Sequence, residues 1–198
     1  SIFGSAGLTT VSKTAYGPEG WSLFATGELA RSGFGGEFSF RRIVADVRRY
    51  QPLGVYDNLN IRVRVGSSGG NLPLQKTFDL GGLSTLNARR FKSETGNRMV
   101  LANAEYIDHG DILHDRDFWP SFLLRHFNII VLADAGWIRT APASSEWHEG
   151  FGGLRFADFK ADLGVGFSNR SGSFRVALVW RTDVPSPAQF LFRLERPF

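Results

Sequence analysis

The chain has 198 residues, 23 Lys and Arg against 19 Asp and Glu for a net charge of +4, no Cys, 18 Phe, 5 Trp and 23 Gly. That length allows one domain or at most two small ones, and 42% apolar residues exclude a disordered chain. Lack of Cys excludes disulfides, thiolate zinc sites and cysteine nucleophiles, and a small charge evenly mixed with acids argues against nucleic acid.

Residues 1–19 carry the weakest pattern and read as a lead-in segment or partial strand. From there period-two alternation recurs over 21–29, 37–49, 58–66, 98–106, 122–137, 159–168, 173–181 and 190–198, which predicts eight antiparallel strands. In 37–49, Phe38 and Phe40 have the opposite parity from Ile43, Ala45 and Val47, so either a bulge sits near Arg41 and Arg42 or the register shifts. In 58–66, Leu59, Ile61, Val63 and Val65 oppose Asn60, Arg62 and Arg64. Residues 122–137 set Phe127, Ile129, Val131, Ala133, Ala135 and Trp137 against His126, Asn128, Asp134 and Gly136. Leu163, Val165 and Phe167 then oppose Asp162, Gly164, Gly166 and Ser168. Phe174, Val176, Leu178 and Trp180 oppose Ser173, Arg175 and Arg181. The last segment sets Phe190, Phe192, Leu194 and Phe198 against Gln189, Arg193 and Glu195. Connections 67–97 and 138–157 are long, whereas 33–36 and 169–172 are tight turns.

No stretch approaches the roughly 18 apolar residues of a membrane helix, but β-strands that cross a membrane show lipid only alternate residues. A soluble sandwich also alternates. Three features favour a membrane barrel. The polar faces mix Gly, Asn and opposite charges, as a crowded lumen does. Phe127 and Trp137 lie ten residues apart on one face; at about 3.3 Å per residue and a tilt of about 40° this projects to about 25 Å, the height of an apolar membrane band between aromatic girdles. The sequence ends on Phe198 at the close of an alternating strand. The expected fold is an all-β, antiparallel transmembrane barrel over 20–198, with Phe127, Trp137, Phe174 and Trp180 at the lipid interface.

Two blocks carry a family likeness. Gly81-Gly82-Leu83-Ser84-Thr85-Leu86, followed by Gly96-Asn97-Arg98-Met99-Val100-Leu101, resembles an inward-folded loop and the strand after it. Leu132-Ala133-Asp134-Ala135-Gly136 resembles an aspartate–glycine strand motif, and Asp162-Leu163-Gly164-Val165-Gly166 follows at fitting distance. In this order and position they resemble the C-terminal half of the β-barrel of the bacterial surface antigen family, the superfamily of outer-membrane protein assembly factors and two-partner secretion transporters. The resemblance implies a sixteen-stranded barrel whose last eight strands are present. The chain is then either a fragment or a short form that closes an eight-stranded barrel.

The resemblance also implies a loop lock, in which a loop-tip arginine of an arginine–glycine–aromatic sequence pairs with the strand aspartate. Aligned without gaps, that arginine falls on Asn87, so either Arg89 or Arg90 substitutes for it after a local shift, or Asp134 bonds neighbours on adjacent strands. It further implies that Phe190, Phe192, Leu194 and Phe198 form a C-terminal assembly signal read by the outer-membrane insertion machinery. The implied setting is the outer membrane of a Gram-negative-type bacterium, with lipid and unfolded outer-membrane or secreted proteins as partners, and no cofactor.

Asp108, His109, Asp111, His114 and Asp115 have metal-ligand chemistry, as do Glu146, His148 and Glu149, but both groups read better as solvated turns. No nucleophile elbow or phosphate loop is present. Inner-face candidates Arg62, Arg64, Lys160, Arg175, Arg181 and Arg193 balance Glu28, Glu105, Asp134, Asp162 and Glu195, which suits a salt-bridged filling better than an active site. The expectation is a non-enzymatic insertion or translocation barrel; the alternative is a structural barrel that anchors a separate, for example lipase-like, passenger domain.

Overall fold

Alternating residues give each strand one apolar and one polar face, and the computed structural model shows which face is buried. It describes residues 1–14, 17–34, 37–109, 127–169 and 172–194. The strands are β1 (Ile2–Thr9), β2 (Ser12–Thr14), β3 (Gly17–Ala30), β4 (Phe40–Pro52), β5 (Asp57–Gly70), β6 (Phe78–Leu80), β7 (Glu94–Gly96), β8 (Arg98–Asp108), β9 (Phe127–Arg139), β10 (Lys160–Asn169), β11 (Arg175–Arg181) and β12 (Gln189–Arg193). The main sheet runs β1-β3-β4-β5-β8-β9-β10-β11-β12 with every neighbour antiparallel, β2 sits beside β3, and β6 and β7 form a separate hairpin.

The path holds nine strands where the pattern predicts eight. The extra strand is β1, which pairs with β3 from Ile2↔Leu29 to Thr9↔Ser22. Among the described residues β1 and β12 do not pair with each other, so they form an open arc and not a closed eight-stranded ring. The expected bulge is absent. Register runs without an insertion from Ala30↔Phe40 to Gly20↔Tyr50 and from Phe40↔Gly70 to Pro52↔Asn58. Phe40 is buried on the same face as Val44 and Asp46, and Phe38 precedes the strand, which accounts for the parity change.

The faces are inverted relative to a soluble protein. Ile43, Ile61, Val63, Val65, Val131, Leu163, Val165, Phe167, Leu178, Phe190 and Phe192 are 37–69% exposed on one face. Asn60, Arg62, Asn103, Glu105, Asn128, Asp134, Asp162 and Arg175 are buried on the other. A sandwich would bury the first set and expose the second. The polar face is also concave. Arg175 of β11 pairs with Glu105 of β8, three strand spacings away, or about 14 Å on a flat sheet. Only a curled sheet brings those side chains together.

Candidate functional site

The concavity is filled by residues 71–97, the connection between β5 and β8. Apolar side chains drive the insertion. Phe78, Leu80 and Leu86 are 0–3% exposed and pack with Val44, Met99 and Leu101. Ala88 joins a second cluster with Ile130, Leu132, Ala177, Val179 and Leu191. Glycines on the strands make the room. A Cβ on Gly66 would lie 2.5 Å from the Phe78 ring, and one on Gly136 would lie 3.0 Å from Leu80. Gly81 turns the loop with φ +110°, where a Cβ would stand 2.1 Å from the Arg90 carbonyl. Its N–H donates to Thr85 Oγ1 at 2.8 Å.

Charged groups fasten both ends. Lys76 Nζ donates to both oxygens of Glu28 at 2.8 and 2.9 Å. Arg42 donates from Nε to the Lys76 carbonyl at 3.1 Å and lies 4.6 Å over the Phe78 ring. Lys160 pairs with Glu94 at the other end.

At the tip, the two expected lock positions divide the work. Asn87 donates from Nδ2 to Asp134 Oδ2 at 2.7 Å, and Asn103 of β8 donates to Asp134 Oδ1, also at 2.7 Å. An amide, and not a guanidinium group, therefore bonds Asp134 from the loop tip. Arg89 carries the charge to a different strand: its Nε is 3.4 Å from Asp162 Oδ1, and its Nη2 donates to Asp183 Oδ1 at 2.7 Å. Ala88 N–H donates to Asp162 Oδ2 at 2.8 Å, and Gln189 of β12 donates to the Ala88 carbonyl at 2.9 Å. Arg90 is exposed and takes no part through its side chain. Asp183 lies beyond β11. Burial pushes its carboxyl up, but hydrogen bonds from Arg181 and Arg89 outweigh this and hold it well below the usual carboxylate range.

Other predicted positions have mixed surroundings. Trp137 is not at an exposed interface: at 3% exposure it is covered by the β9–β10 connection and lies 5.8 Å from the Phe151 ring. Phe127 and Trp180 are half-buried, and Phe174 meets Phe192 edge-on at 5.5 Å. Phe190, Phe192 and Leu194 are exposed, whereas Phe198 lies outside the described residues. Of the first metal-like group, Asp108 is buried, His109 lies near the Tyr56 carbonyl, and the rest lie outside the described residues. Among the described residues no three His, Asp or Glu converge as metal ligands.

Three participants carry no simple sequence signal. Asp183 and Leu191 matter only because the sheet curls back on the loop. Arg98, fully buried, donates to the carbonyls of Ser68, Asn97, Glu146 and Glu149 at 2.5–3.0 Å and so fixes the β9–β10 connection. The space left beside Asn87, Glu105, Asp134 and Arg175 is about 30 Å³, room for water and not for a passing solute.

An arc with an apolar exterior, a polar interior and a loop tucked inside is distinctive enough to compare. Among solved structures, the chain is similar to BamA from Haemophilus ducreyi lacking POTRA domains 1-3, with a TM-score of 0.65 at 14% identity. The antiparallel β fold is structurally related to that of this outer-membrane barrel protein. The match covers 95% of this chain, which spans 40% of that BamA chain. No family model matches, and no curated protein does.

Proposed function

We propose that the chain is the C-terminal part of an outer-membrane barrel of the surface-antigen superfamily, and that it assists insertion or translocation of outer-membrane or secreted proteins. The observation that carries this reading is the bond set between the inward loop and the last hairpin: Arg89 to Asp183, and Ala88 to Gln189. β12 has a free edge among the described residues, and unpaired edge groups are what an incoming strand needs for β-augmentation. Backed by the loop, β12 keeps its position while its outer edge stays available. Pro197 lies further along the same segment and removes one donor from any pairing there.

The exposed apolar face supports burial in lipid, which would place the chain in the outer membrane of a Gram-negative-type bacterium. The β5–β8, β9–β10 and β11–β12 connections leave one end of the sheet, which would face outward, and residues 53–56 lie at the other end, which would face the periplasm. Phe190 and Phe192 share the outer face of β12, and the exposed Leu194 follows it, which supports a signal read by the insertion machinery. The interior carboxylates are engaged by amides and guanidinium groups, which favours a structural role over acid–base chemistry.

The test is folding of a small outer-membrane barrel diluted from urea onto vesicles that contain the full chain. We expect faster folding than on empty vesicles, and loss of most of that acceleration with Arg89→Ala. If the chain inserts but accelerates nothing, the anchoring reading replaces this one.

A further inference from the structure

The outer face carries a recess that the loop site does not use. It lies between Ile2 and Gly4 of β1, Gly27 and Leu29 of β3, Ile43 of β4, and Trp147 of the β9–β10 connection, and encloses about 490 Å³. Its floor is two glycines. A Cβ built on Gly4 or Gly27 meets nothing within 4 Å, so a strip of sheet where side chains would stand is open space. The walls are apolar and exposed: Ile2 60%, Ile43 50% and Trp147 63%. The Trp147 backbone is held in place, because Ser67 donates from Oγ to its carbonyl at 2.7 Å and Gly70 N–H donates to the Ala143 carbonyl at 2.8 Å.

The mouth carries a cation. Arg41 points to the same outer face and uses Nη2 on the Ser145 carbonyl at 3.0 Å and on Glu146 at 3.1 Å. Nε and Nη1 have no partner among the described residues, and the side chain is 47% exposed. The Glu28 carboxylate lies on the opposite, inner face and is occupied by Lys76. An apolar trough on a lipid-facing surface, with spare guanidinium donors at its end, matches an acyl chain joined to a phosphate.

We propose that this recess binds one anionic, phosphate-bearing membrane lipid, with an acyl chain over Gly4 and Gly27 against Trp147, and the phosphate at Arg41. The proposal rests on the outer-membrane reading, and the test separates the two. The full chain is refolded into phosphatidylcholine vesicles that contain a minor fraction of dibrominated phosphatidylglycerol or dibrominated phosphatidylcholine, and tryptophan quenching is measured. The Trp147 contribution is the difference between the parent and Trp147→Phe. We expect the anionic lipid to quench Trp147 as though enriched about five-fold, the factor one basic residue near the surface supplies. Arg41→Gln should abolish that preference, and Gly27→Leu should lower Trp147 quenching by filling the floor. Trp21 and Trp180, elsewhere on the outer face, should be quenched equally by both lipids. Equal quenching of Trp147 by the two lipids, unchanged in both variants, overturns the site and leaves the membrane reading standing. Absence of quenching at Trp21 and Trp180 overturns the membrane reading itself. If Trp147 is shielded from both lipids at high protein density and exposed on dilution with lipid, a second copy fills the recess and the proposal is wrong.

Discussion

β8 and β1 are both antiparallel strands of one sheet, yet their inner faces meet different fates. On β8, Leu101, Asn103 and Glu105 are 0–8% exposed beneath the inward loop. On β1 every residue is exposed, and Phe3, on its inner face, remains 64% exposed. Phe24 on the neighbouring β3 also faces inward and is 49% exposed. Among the described residues β8 is paired on both sides, with β5 and β9, and β1 on one side only, with β3, but the larger difference is the loop. It supplies the apolar and charged partners that turn one stretch of inner face into a core, and it does not reach the other.

The largest expected difference comes from charge. Glu105→Ala leaves Arg175, 3% exposed, without its carboxylate, and should cost about 3–5 kcal/mol in a refolding titration. Thr26→Ala, on the inner face of β3, should stay within about 0.5 kcal/mol. Similar costs at the two positions would mean that the loop does not create the core. Packing sharpens the same contrast. Leu80→Ala removes a fully buried side chain from the loop cluster and should cost about 2–5 kcal/mol. Phe24→Ala removes a larger side chain from the uncovered region and should cost about 1 kcal/mol or less. A greater loss at Phe24 than at Leu80 would reverse the comparison.

The sequence reveals the two faces more readily than their coverings. Alternation in 58–66 or 159–168 is legible because each outward apolar residue is followed by an Asn, Arg, Lys, Asp, Ser or Gly. It fails for β1, where Gly4 and Ala6 alternate with Ser5 and Gly7 and the two faces hardly differ in polarity. It also omits Ile130, Leu132 and Leu191, which face inward against expectation because the loop brings Ala88 to them. Trp137 shows the complementary failure. Period two assigns its face, but only the fold reveals that Phe151 lies over it. The loop site is half legible for the same reason. Asp134 and Asn87 are found through the family resemblance, whereas the partners of Arg89, 73 and 94 positions away at Asp162 and Asp183, depend on how far the sheet curls.

The smallest expected effect tests the outermost bond of that loop. Asp183 is held below the usual carboxylate range, with an ordinary value of 3.8, by Arg181 and Arg89 despite its partial burial. A carboxyl whose folded value is depressed adds stability that is fully present above its unfolded value and is lost as pH falls toward the folded one. The sign is therefore fixed. Parent and Asp183→Asn should differ by a constant urea midpoint from pH 7 down to about pH 5, because the carboxyl is ionised in both states throughout that window. Below about pH 4 the unfolded parent takes up a proton that the folded parent resists, and the gap should narrow with further acidification. The effect should be modest, since the group lies near the rim and solvent screens part of its attraction to Arg181. A gap that widens in acid would mean that Asp183 is protonated when bound, and the Arg89 contact would then be a neutral hydrogen bond and not the charged anchor of the loop.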